Sequence, residues 1–129
     1  MPQIKQRKIL VVDDDAFLLS SITSFVSGAG YAVTTAAGGA EALERIREGL
    51  PDIIIVDAVM PEMDGFELTR RIRRLPGAEK IPILMLTGLR ADSDRSSAEA
   101  SGVTEFITKP IKPEELLRRV DAQFRPKFF

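Results

Sequence analysis

Five short apolar runs, KILVVD (8–13), YAVTTA (31–36), PDIIIVD (51–57), IPILMLT (81–87) and TEFIT (104–108), alternate with segments in which apolar residues recur at helical spacing. The helical stripes are Leu18, Ile22, Phe25 and Val26; Leu43 and Ile46; Leu68, Ile72 and Leu75; and Leu116, Val120 and Phe124. Alternating strands and helices imply a parallel sheet covered on both faces, because right-handed crossovers return each strand beside its neighbours. ILVV, IIIV and ILML are apolar on both faces and belong at the centre, whereas YAVTT and EFIT carry polar residues and belong nearer the edges. A doubly wound α/β fold with five strands in the order 2-1-3-4-5 and five helices satisfies this pattern. The helix expected around Asp92 to Ser101 is the weakest, since ADSDRSSAEAS offers only alanines to bury.

At 129 residues, 44% of them hydrophobic, the chain fits one domain, placed at 8–124 between a polar extension (1–7) and a tail (125–129). The polar start MPQIKQRK and the lack of an 18-residue apolar run predict no signal peptide and no membrane span, hence a cytoplasmic protein. With no cysteine and no histidine, disulfides, zinc sites of the usual kind, Cys or His nucleophiles and His bases are excluded. Any metal must accept oxygen ligands. Eighteen basic against nineteen acidic residues leave a net charge of −1, so no general attraction to nucleic acid or an anionic membrane is expected. The basic run RRIRR (70–74), with Ile72 inward, reads as a solvated helix face rather than a direct nucleic-acid contact.

The stretch VVDDDA (11–16) sets Asp13, Asp14 and Asp15 against an oily strand. Two carboxylates about 4 Å apart repel by roughly 4 kcal/mol at an effective dielectric near 20, so carboxylates converging in one cleft call for a cation. Ligands of an open parallel sheet bind beyond the carboxyl ends of its strands. There the sequence places Asp13 and Asp14 after strand 1, Asp57 after strand 3, Thr87 after strand 4, and Lys109-Pro110 after strand 5. Any one of these alone is a turn residue. A lysine and a hydroxyl converging on three carboxylates form a charge arrangement that a structural turn does not need.

VVDDD, IVDAVMPEMDG, MLTG and FITKP resemble, in order and spacing, the receiver domains of two-component response regulators, over Lys8 to Phe124. The resemblance implies a flavodoxin-like fold and a phosphorylation-controlled switch rather than an enzyme acting on a free substrate. It implies that Asp57 accepts a phosphoryl group from a phosphohistidine of a sensor histidine kinase or histidine phosphotransfer protein. Asp13, Asp14, Asp57 and the Val59 carbonyl would hold Mg²⁺, Asp14 directly and Asp13 through water. Lys109 and Thr87 would contact the phosphoryl oxygens, and Pro110 would follow a cis peptide. Thr87 and Phe106 match switch positions acting on the surface of the fourth helix, fifth strand and fifth helix; an ordinary edge-strand Phe packing on the core is the other reading of Phe106. Met60-Pro61 and Asp64-Gly65 match the loop into helix 3, and Asp15 reads as a helix N-terminal charge. Val59 and Leu89 are expected to flank the approach of water to Asp57. Gly88 stands where alanine is commoner, and Ala58 is smaller than the usual neighbour of the acceptor.

Two rivals are weaker. A phosphohydrolase working through an aspartyl phosphate needs a second carboxylate as acid and base and a substrate cap, for which there is no insertion. A phosphate-independent interaction module would have no use for Asp57, Thr87 and Lys109 together. The output partner is open: a stand-alone receiver and a piece of a longer regulator or hybrid kinase both fit, and the tail RPKFF suits either a linker or a small docking patch.

Overall fold

Isoleucine, valine and leucine fill the strands that the pattern places centrally, and these strands are buried on both faces. In the computed structural model, which describes residues 6–88 and 102–125, the elements run β1 (Lys8–Val12), α1 (Ala16–Gly28), β2 (Ala32–Ala36), α2 (Gly39–Glu48), β3 (Ile53–Asp57), α3 (Gly65–Arg73), β4 (Ile83–Thr87), β5 (Glu105–Thr108) and α4 (Pro113–Phe124). The strands form one parallel sheet in the order β2-β1-β3-β4-β5, with the runs apolar on both faces at the centre as expected. The described residues contain four helices rather than five, because the segment expected to form the remaining one, Asp92 to Ser101, lies outside them. Among the described residues no helix is long and apolar enough to cross a membrane.

Side chains alternate along each strand and so divide the core. Leu10, Val12, Ile54, Val56, Ile83 and Met85 face Leu43 and Ile46 of α2 and Leu68 and Ile72 of α3. Ile9, Val11, Ile53, Ile55, Leu84 and Leu86 face Ile22 and Val26 of α1 and Leu116 and Val120 of α4. Short acids set the starts of two helices: Asp15 caps α1 by accepting from the Phe17 and Leu18 amides, and Asp64 caps α3 by accepting from the Glu67 amide at 2.8 Å.

The arginines of α3 divide into two kinds. Arg70 and Arg71 pair with Glu67 on the solvated face, at 2.9 and 3.0 Å. Arg73 instead turns inward and donates to the carbonyls of Gly102, Ala78 and Ile81 at 2.7 to 3.0 Å. It ties the end of α3 to the chain entering β4 and β5, a role the run RRIRR does not disclose.

At the end of the sheet away from the carboxylates, the Tyr31 hydroxyl donates to Asp121 and its ring packs against Phe124, over which the Arg7 guanidinium lies at 4.9 Å. Burial, with the Asp121 hydrogen bond and charge adding to it, pushes the Tyr31 phenol up to about 12. A phenol whose folded pKa is raised contributes stability in full below its usual value of about 10, and this is lost as pH rises through the folded value. Tyr31 is the sole tyrosine and there is no tryptophan, so tyrosinate absorbance titrates this site alone. The midpoint is expected near 12 and should fall in Asp121→Asn by the part that the hydrogen bond and charge contribute, leaving the part owed to burial; a parent midpoint at the ordinary value would refute the pairing.

Candidate functional site

The carboxyl ends of β1, β3, β4 and β5 converge. Asp13 follows the last residue of β1, and its amide donates to the Ala36 carbonyl at the end of β2, at 3.1 Å. This bond holds Asp13 at the rim of the sheet, where its side chain is 1% exposed. Its Oδ1 accepts from the Asp15 amide at 2.9 Å, while Oδ2 is buried without a hydrogen-bond partner among the described residues. Burial is the largest influence on this carboxyl and raises its pKa, with Asp57 and Asp14 adding to the rise and the Asp15 hydrogen bond and Lys109 opposing it. Asp14 is exposed.

Asp57 is the last residue of β3 and is 5% exposed. Lys109 Nζ reaches its Oδ1 at 2.7 Å. Oxygens of Asp13, Asp14 and Asp57 all lie within 4.8 Å of one another. Thr87 ends β4, is buried, and accepts at its carbonyl from the Lys109 amide at 2.8 Å, and the Lys109–Pro110 peptide is cis. Three carboxylates and a lysine from three strand ends therefore share one cleft, with Thr87 at the end of the neighbouring strand β4. Val59, just past Asp57, is 63% exposed, and Phe106 on β5 is half-buried against the core on the α2/α3 side. Leu89 lies outside the described residues.

One functional constraint escapes a reading by side-chain chemistry. The Gly65 amide donates to the Ala58 carbonyl at 2.9 Å, and a Cβ at Gly65 would stand 2.4 Å from the Asp57 carbonyl oxygen. The start of α3 thus rests directly on the backbone of the acidic strand end. The signal was there: Asp64-Gly65 is an N-cap followed by the smallest residue.

This geometry has counterparts. The response regulator receiver domain family matches residues 9–121. The chain belongs to that family. This receiver domain is 41% identical over 120 residues to an uncharacterised 14.6 kDa protein of Leptolyngbya boryana, covering 93% of this chain and 92% of the relative. It is 38% identical over 118 residues to the phosphate regulon transcriptional regulatory protein PhoB of Rhizobium meliloti, covering 92% of this chain and 52% of PhoB. It therefore spans about half the length of that regulator. Among solved structures, the chemotaxis protein CheY4 of Vibrio cholerae matches at a TM-score of 0.90 and 35% identity, over 93% of this chain and all of that one. A response regulator of Chloroflexus aurantiacus matches at 0.86 and 38% identity, over 92% and 98%. The receiver domain is thus a phospho-accepting signalling switch of the two-component kind.

Proposed function

We propose that Asp57 is the phosphoryl acceptor of this receiver domain and that Asp13, Asp14, Asp57 and the Val59 carbonyl hold Mg²⁺ beside it. The observation that carries this reading is the buried Oδ2 of Asp13, without a hydrogen-bond partner among the described residues, in a group of three carboxylates whose oxygens lie within 4.8 Å of one another beside Lys109. Hard oxygen donors in that number fit a small divalent cation that keeps several waters. Bound there, Mg²⁺ supplies the charge neutralisation that lets an anionic carboxylate meet an anionic phosphoryl group.

The protein's own groups do the rest. The Asp57 carboxylate attacks phosphorus, the bond from phosphorus to the donor's imidazole nitrogen breaks, and its electron pair stays on the imidazole. Lys109, held 2.7 Å from Asp57, moves its charge to a phosphoryl oxygen, and the Thr87 hydroxyl donates to another. Water later attacks the acyl phosphate, releases phosphate and restores the carboxylate. The donor is a phosphohistidine of a sensor kinase or phosphotransfer protein. The readout is the surface formed by β5 and α4, with Phe106 following Thr87 inward; the segment Asp92 to Ser101 expected to border it lies outside the described residues.

Incubation with acetyl phosphate and Mg²⁺, read by intact mass, tests the assignment. A single phosphoryl adduct is expected in the parent, absent from Asp57→Asn and absent in chelator. An adduct that survives Asp57→Asn refutes it, and rapid turnover of added phosphoesters would instead support a hydrolase.

The lifetime of that adduct is a separate expectation. Val59 is exposed beside the acceptor but apolar, so it shields the phosphoryl group without orienting an attacking water. Val59→Asn places an amide there and is expected to shorten the lifetime severalfold in excess Mg²⁺. Equal or slower decay in the variant would show that Val59 lies aside from the water's path.

A further inference from the structure

The loop between β3 and α3 closes at its base, where the Gly65 amide meets the Ala58 carbonyl at 2.9 Å. Closure at the base does not fix what lies between. Val59, Pro61 and Glu62 are exposed, and Glu62 takes a φ of 68°, a region that side chains other than glycine seldom adopt. Two methionines hold this stretch down. Met60 is buried in the core, and Met63 crosses to the start of α2, where it lies against Gly39.

The second contact leaves no room for a side chain at 39. A Cβ at Gly39 would stand 2.5 Å from Met63 Sδ and 3.1 Å from both its Cγ and its Cβ. The sulfur could swing away, but Met63 Cβ is fixed to the backbone, so a side chain at 39 must push the loop itself. The turn that carries Gly39 leaves β2 at Ala36, whose carbonyl, three residues before Gly39, accepts from the Asp13 amide. The short stretch from Ala36 to Gly39 therefore joins the strand end that holds Asp13 to the loop that carries the Val59 carbonyl.

We propose that Met63 is a positioning residue for the metal site, and that Gly39 is the seat fixing the loop relative to Asp13. This rests on the reading of Asp13, Asp14, Asp57 and Val59 as the Mg²⁺ site. Met63 touches neither cation nor phosphoryl group; it acts through the loop backbone.

Mg²⁺ titration by calorimetry on the full chain tests the consequence. Gly39→Ala and Met63→Ala are each expected to weaken Mg²⁺ binding by about tenfold, the scale of lost outer support around a metal. Because both disturb one contact, the double variant is expected to stay near that about tenfold loss rather than multiply to about a hundredfold. Gly38→Ala is the control: φ is −179° and a Cβ there meets nothing within 4 Å, so its binding should match the parent. Melts in chelator read the same contact without metal, and the two single substitutions should again be non-additive. Parent-like binding in Met63→Ala, or losses that multiply, would overturn the proposal. Failure of the parent to bind Mg²⁺ would overturn the metal reading, and the assignment of Met63 to it, while the melts in chelator still show whether Met63 and Gly39 are coupled.

Discussion

Gly65→Ala is expected to destabilise the domain by about 3 kcal/mol or more, near the upper end of what overpacking costs. The added methyl would lie 2.4 Å from the Asp57 carbonyl oxygen, 3.0 Å from Ala58 Cα and 3.2 Å from the Asp57 carbonyl carbon. All three are backbone atoms of the segment leaving β3, so no side-chain rotation relieves the clash. Helix propensity opposes the effect, since alanine in a helix is favoured over glycine by about 1 kcal/mol. Steric overlap wins, because separating α3 from β3 breaks the bond from the Gly65 amide to the Ala58 carbonyl and lifts Leu68 and Ile72 from the core. Thermal melts should place Gly65→Ala at least about 8 °C below the parent. Gly49→Ala is the comparison, since a Cβ there meets nothing within 4 Å. Equal melting temperatures for Gly65→Ala and the parent would show that α3 can move off the strand end at little cost.

That contact also marks where the sequence stops being legible. Apolar runs on both faces place β1, β3 and β4 at the centre, and the polar residues of YAVTT and EFIT place β2 and β5 at the edges, so composition separates central from edge strands and the order β2-β1-β3-β4-β5 satisfies it. The strand ends then gather Asp13, Asp57, Thr87 and Lys109 without further information, because every parallel strand finishes on the same rim. What pattern cannot supply is distance. Gly65 and Gly39 look like turn glycines, yet each is pressed against another element, Gly65 against the β3 backbone and Gly39 against Met63. Arg73 sits in a basic run that reads as solvated, and only its hydrogen bonds to Gly102, Ala78 and Ile81 separate it from Arg70 and Arg71. Likewise VVDDDA shows three acids in a row but not their division of labour. Asp13 is buried, Asp14 is exposed, and Asp15 serves as the helix cap.

That division identifies the acid whose removal matters most to the metal-free fold. Asp13→Asn is expected to stabilise the protein in chelator by about 1–3 kcal/mol, the range for a buried polar group left unsatisfied. The substitution keeps an oxygen for the Asp15 amide and replaces the partnerless Oδ2 with an amide nitrogen able to donate to the Asp57 carboxylate nearby. It also removes one of three crowded negative charges, whereas the same change at exposed Asp14 relieves a charge that water already screens. In Mg²⁺ the ranking is set by the opposite term. A cation at 100 times its Kd stabilises the parent by about 2.7 kcal/mol, and the variant, lacking one anionic donor, gains less. Melting temperatures of parent and Asp13→Asn, each with chelator and with excess Mg²⁺, separate the two contributions. If Asp13→Asn melts below the parent in chelator, the buried carboxylate is not a source of strain, and the case for a cation at this site loses its main support.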